Sequence, residues 1–168
     1  MEDGSGTSPA ATSVAQIRVV LDHHLDVVEA SVLASALSAA FRVGNNLARS
    51  IFLNPESQQS FEDWAAAAAL ATTMLRRSLG RHGRDPRYDS LVGELAAHST
   101  SFGKYWARPE VDGWERGVLR YFNPITGVQA YEYTLEHQPD GRVNMLWSPA
   151  DDASRSASHD LWERSGHR

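Results

Sequence analysis

The chain has 168 residues, of which 42% are hydrophobic and 22% charged, with a formal net charge of -5. That length suits one ordinary domain with short tails, the apolar share allows a real core, and the acidic balance argues against a general nucleic-acid binder, which needs clustered cations. The lack of any cysteine excludes disulfides, thiolate metal sites and cysteine nucleophiles, and points to a reducing cytoplasm.

Residues Met1 to Ala15 are mostly Gly, Ser, Thr, Ala and Pro and read as a disordered tail. They hold no basic segment followed by an apolar one, so no signal peptide is expected. Ile17, Val19 and Leu21 then alternate with their neighbours, and after Asp22-His23-His24 a second run covers Leu25 to Glu29, which together read as a β-hairpin. Ser31 caps a helix carrying Leu33, Leu37 and Phe41, stopped by Gly44 and Asn45. A turn of helix from Asn46 to Leu53 ends at Asn54-Pro55, because the residue before proline leaves helical space.

The clearest helix starts from a Ser60 cap and sets Phe61, Trp64, Ala68, Ala71 and Leu75 at alternating spacings of three and four, with Gly80 as its stop. Its longest unbroken apolar run, Ala65 to Leu70, is far short of the roughly 20 residues that span a bilayer. Asp85-Pro86 opens another helix with Tyr88, Leu91 and Leu95 on one face, and Ser99 or Thr100 caps a short turn carrying Phe102, Tyr105 and Trp106.

After Gly113 the apolar period becomes two. Trp114 to Phe122, Val128 to Leu135 and a strand presenting Val143, Met145 and Trp147 are separated by turns at Asn123 to Gly127 and Pro139 to Gly141. The last stretch, 151–168, is polar apart from Leu161-Trp162 and reads as a marginal helix or tail. Two strands, a run of helices and three strands most simply merge into one five-stranded antiparallel sheet covered on one face by the helices, a PAS-like α+β domain over 16–150.

The stretches Asn46 to Phe52, Asp63-Trp64, Leu75-Arg76, Gly80-Arg81, Asp85-Pro86, Leu91 to Leu95, Ser101-Phe102, Trp106-Ala107 and Val111, with Pro124 and Gly127 in the later turn, carry a resemblance. From about Ile17 to Trp147 the chain resembles the ligand-binding domain of MmyB-like transcription regulators, which sits behind an XRE-type helix-turn-helix. The resemblance implies a cavity holding a long-chain fatty acid, such as a C12 to C18 acid, or a similar lipid. It also implies a homodimer that reaches DNA only through a helix-turn-helix, which nothing ahead of Gln16 could form. The family often has arginine where Asn45 stands and histidine where Asn123 stands.

For the cavity wall the expected residues are Trp64, Ala68, Ala71, Leu75, Phe102, Tyr105, Trp106, Tyr131, Tyr133 and Met145. The plainer reading of each is core filling, but small residues facing aromatics across a sheet would leave an apolar slot. A buried carboxylate needs a partner. Arg49 is the first choice, since guanidinium grips carboxylate with two parallel bonds, with Arg76, Arg81 and Tyr131 as the others. The basic run Arg76, Arg77, Arg81, Arg84 and Arg87 reads as a solvated helix end.

His23-His24 read as turn residues, and no metal site is expected from them, because adjacent residues on a strand would point to opposite faces and chelate poorly. No catalytic residue is expected either: the chain has no nucleophile elbow, phosphate-cradling loop or HExxH helix. The cofactor expectation is none beyond the acyl ligand, and the alternative function is a ligand-free dimerisation module.

Overall fold

The computed structural model describes residues 16–110 and 112–166; the expected tail over Met1 to Ala15 and the family-matching Val111 lie outside them. The strands are β1 (Ile17–Leu21), β2 (Val27–Ala30), β3 (Arg116–Asn123), β4 (Gly127–His137) and β5 (Val143–Pro149). They form one antiparallel sheet in the order β2-β1-β5-β4-β3, so the first strand pairs with the last in the middle. This is the PAS-like α+β arrangement expected from the two-three split.

Alternation in β3, β4 and β5 sends Leu119, Tyr121, Tyr131, Tyr133, Leu135, Met145 and Trp147 to one buried face, as a period of two requires. The other face carries Arg116, Arg120 and Glu132 in the open. On the buried face lie α1 (Val32–Leu37), α2 (Leu47–Leu53), α3 (Pro55–Gln59), the long α4 (Trp64–His82), α5 (Pro86–His98), α6 (Thr100–Trp106) and the C-terminal α7 (Asp152–Arg164). No helix among the described residues is long and apolar enough to cross a membrane.

Local chemistry corrects several sequence expectations. The long helix is capped by Asp63, whose side chain accepts from the Ala66 amide. Ser60 belongs to the preceding turn, and its hydroxyl donates to the Ser57 carbonyl. Nor does Gly80 stop this helix; it continues to His82 and ends at Gly83, whose φ of 75° is a conformation glycine adopts freely. The helix from Ser31 breaks at Ser38, which caps a 3-10 turn over Ala39–Phe41. Pro55 opens a short helix capped by Asn54 that the pattern did not suggest. The polar stretch 152–164 is fully helical because Asp151 caps it, and Leu161 is buried with hydroxyls fixing the rest to the sheet. Ser154 Oγ accepts from the Ala130 amide at 2.9 Å, and Ser158 Oγ lies 2.6 Å from Tyr131 Oη.

Candidate functional site

Between α4 and the sheet, Ala67, Leu70 and Ala71 face Phe41, Phe61, Leu119, Tyr121 and Met145 around a cavity of about 10 Å³. That barely admits one water, so the slot expected from small residues opposite aromatics is present in outline and closed by packing. The rings closing it are mutually packed: Phe41, Phe61 and Tyr121 meet at centroid distances of 5.4 to 6.3 Å. Burial pushes the Tyr121 hydroxyl strongly upward in pKa, so it stays neutral and accepts from Trp147 Nε1 at 3.0 Å.

One end of the same helix opens into a larger pocket of about 180 Å³. Its floor is Leu25, Met74, Trp114 and Val143, and its rim carries Arg77, Arg81, His82, His137 and Arg142 with Asp22 and His23. Three guanidiniums against one carboxylate give a cationic mouth over an apolar floor. Two of the three are engaged: Arg77 with Glu110 at 2.7 Å, and Arg142 with Asp140 at 3.6 Å and Glu29 at 3.8 Å. Arg81 has no ion pair among the described residues. Burial, then the Arg81 charge, holds the His137 imidazole below the usual histidine range, against a smaller upward pull from Glu115.

The structure divides the expected site residues. Ala71 and Met145 alone among them line the slot. Trp64, Phe102, Tyr105 and Trp106 gather on the opposite side of α4, where Phe52 packs edge-on to Trp64 and Phe102 at 5.7 and 5.2 Å and Phe102 stacks on Trp106. They join α4 to α2 and α6, not to the sheet. Ala68 and Leu75 are fully buried core. Tyr131 donates to Gln129 Oε1 and bonds Ser158 beneath α7, while Tyr133 lies on Gly117 and donates to the Trp114 carbonyl at 3.2 Å.

Arg49 is half exposed and pairs with Glu94 at 2.7 Å, bordering an open depression away from the slot. Arg76 donates to the carbonyls of Trp106 and Arg108 and lies over the Trp106 ring, closing the end of α6. The basic run is therefore not uniform: Arg77 and Arg81 reach the pocket, Arg84 pairs with Asp89 and Arg87 with Asp26. Asn45 and Asn123, at the two family-variant positions, donate to the carbonyls of Ala39 and Ala36.

His23 and His24 do not diverge. They occupy the expected turn, but both rings approach Asp85, with His24 Nε2 at 2.8 Å and His23 Nε2 at 3.6 Å from its Oδ2. The rim residues His82, His137 and Arg142 were invisible to sequence reasoning, since no local pattern says that the β4–β5 turn meets the end of α4. Arg81 was legible as a cation near a helix end.

Residues 18–161 match the family profile of the MmyB-like transcription regulator ligand binding domain. The chain belongs to that family. It is thus a ligand-binding domain of a transcription-regulator family, which is not an enzyme family, and a small-molecule ligand is implied. No curated protein sequence matches the chain detectably.

Proposed function

We propose that this MmyB-like domain is the sensing part of a cytoplasmic transcription regulator and binds a fatty acid or similarly amphipathic carboxylate. The head group sits at Arg81 in the cationic mouth, and the tail runs along α4. The observation that carries this reading is that the two cavities, though separate, are neighbours along α4. Met74 forms the floor of the pocket, and the slot begins one helical turn away at Ala71 and Leu70.

As it stands, 180 Å³ is below the roughly 300 to 1,000 Å³ of common ligand sites, so a long tail requires the slot to open. Met74 and Met145 are suited to yield, because methionine changes rotamer cheaply. Ligand then acts by its differential affinity for the open and closed packings, and the regulator passes that shift through a homodimer to a helix-turn-helix on DNA. No catalytic role is proposed for any residue.

Native mass spectrometry of the purified chain with added C12 to C18 acids tests this. One acyl chain bound per protein is expected, with Arg81→Gln weakening binding at least about tenfold, the loss of one charge-assisted contact, and Arg49→Gln leaving it unchanged. Binding that is insensitive to Arg81→Gln, or absent, rejects it.

A second reading, a ligand-free dimerisation module, is favoured by the tight packing of the slot and by exposed Val118, Phe122, Ile125 and Val128 at the β3–β4 end of the sheet. Exposed apolar groups of this kind mark contact surfaces. In that case light scattering shows a dimer that survives delipidation and is lost in Phe122→Asp.

A further inference from the structure

The turn joining β1 to β2, which borders the ligand pocket through Asp22 and His23, carries a cluster with chemistry of its own. Asp22 Oδ1 accepts the amides of His24 and Asp26 at 2.9 Å each, and Leu25, with φ 66°, reverses the chain. The Asn46 side-chain amide donates to the His24 carbonyl at 2.7 Å and to Asp26 Oδ1 at 2.8 Å, and the Ser78 hydroxyl donates to the His23 carbonyl. This clamped backbone brings the two imidazoles together, 4.0 Å between centroids. Asp85, the capping residue of α5, faces both. His24 Nε2 is 3.0 and 2.8 Å from its two oxygens, and His23 Nε2 is 3.6 Å from Oδ2.

We infer that His23, His24 and Asp85 form a binding site for a divalent transition metal of the zinc class. Their three ligand atoms lie within 4.8 Å of one another. Around a tetrahedral ion with bonds of about 2.0 to 2.2 Å, ligands stand about 3.3 to 3.6 Å apart. The His23 contact is already close to that separation, and the His24 contact needs to open by about half an ångström.

Charge around the turn is mixed, since His23 also borders the rim that carries Arg81 and Arg142. Asp22, Asp26 and Asp85 surround the turn, and Arg87, which pairs with Asp26 and lies 3.9 Å from Asp22, is their arginine; Arg84 is held by Asp89 at 2.7 Å. Two imidazoles and one carboxylate suit zinc, nickel or copper, whereas calcium and magnesium demand more oxygen ligands. His24 is 6% exposed, so its ring is held with Nε2 against Asp85.

Three protein ligands leave a fourth position for water, as in open zinc sites. Bound metal fastens the β1–β2 turn to the start of α5, and because His23 also lines the cationic pocket, it fixes one of the pocket walls. The site does not depend on what the pocket binds.

The tag-free full chain, stripped with chelator, is titrated with Zn²⁺, Co²⁺ and Mg²⁺. One Zn²⁺ or Co²⁺ per chain at micromolar free metal is expected, with the intense visible bands of tetrahedral Co²⁺ and no uptake of Mg²⁺. Asp85→Asn keeps the helix cap, since asparagine caps as well as aspartate, and His23→Ala changes a half-exposed ring. Each should weaken Zn²⁺ binding at least about tenfold with unchanged far-UV circular dichroism. Should Asp85→Asn lose helicity, His23→Ala carries the test alone. Sub-stoichiometric uptake by the unaltered chain, or affinity unchanged in a folded variant, overturns the assignment.

Discussion

Gly117 leaves no room for a methyl group: a Cβ there would stand 2.8 Å from Cε1 and Oη of Tyr133. The ring cannot retreat without losing its bond to the Trp114 carbonyl. Gly117→Ala should therefore cost about 1 to 3 kcal/mol, read as a lower denaturant midpoint at unchanged slope. Titration gives a second prediction. His137 has a folded pKa below its ordinary value, so it favours the neutral form, and its contribution to stability is present above about pH 6.5 and lost as pH falls through the folded value. A carboxylate bound near it pulls the other way and favours the imidazolium. Fatty-acid affinity should thus rise as pH falls from neutrality, and calorimetry at several pH values should show no such slope in His137→Gln. Neither residue was singled out in the sequence. A glycine in a strand and a histidine at a strand end become informative only when the partner strand and α4 are in place.

At the scale of elements, the helices were legible where periodicity is long and blurred where capping decides. Phe61, Trp64, Ala68, Ala71 and Leu75 revealed α4, yet its start shifted from Ser60 to Asp63 and its end from Gly80 to Gly83, because several nearby residues can cap and context chooses among them. The eleven expected site residues do not gather round one cavity, for a related reason. A helix such as α4 has one side toward the sheet and another toward α2 and α6, and periodicity does not say which apolar neighbour is which. For the slot, Ala71→Leu should fill what space exists and abolish acyl binding in native mass spectrometry, at a cost of about 1 to 3 kcal/mol from overpacking. The C-terminal helix offers a separate check. It is held by Ser154, Ser158 and buried Leu161, so Leu161→Ala should cost about 2 to 5 kcal/mol. Faster hydrogen exchange is expected in 152–164, together with the β4 amides it covers.

For the whole molecule, the two-three strand split and the helices between were enough to specify one five-stranded antiparallel sheet, since antiparallel neighbours and short connections leave few topologies. The contents of the interior were not, because whether a slot is open depends on a few rings and methionines. Ligand at about a hundred times its dissociation constant adds about 2.7 kcal/mol, which for a chain of this size raises the melting temperature by roughly 5 to 10 °C. A fatty acid that produces no shift in a thermal scan is not the ligand of this packing.

The pairing of β1 with β5 at the centre of the sheet also governs how the protein is made. On the ribosome β1 emerges more than a hundred residues before the strand that completes its hydrogen bonds, and closing such a distant contact is slow. Until then the hairpin of β1 and β2 offers an unpaired edge to other nascent chains. A nascent chain stalled before Val143 should be cut readily by protease, while one stalled long enough after Pro149 for β5 to clear the exit tunnel should resist. The domain therefore closes its sheet abruptly, once β5 has emerged.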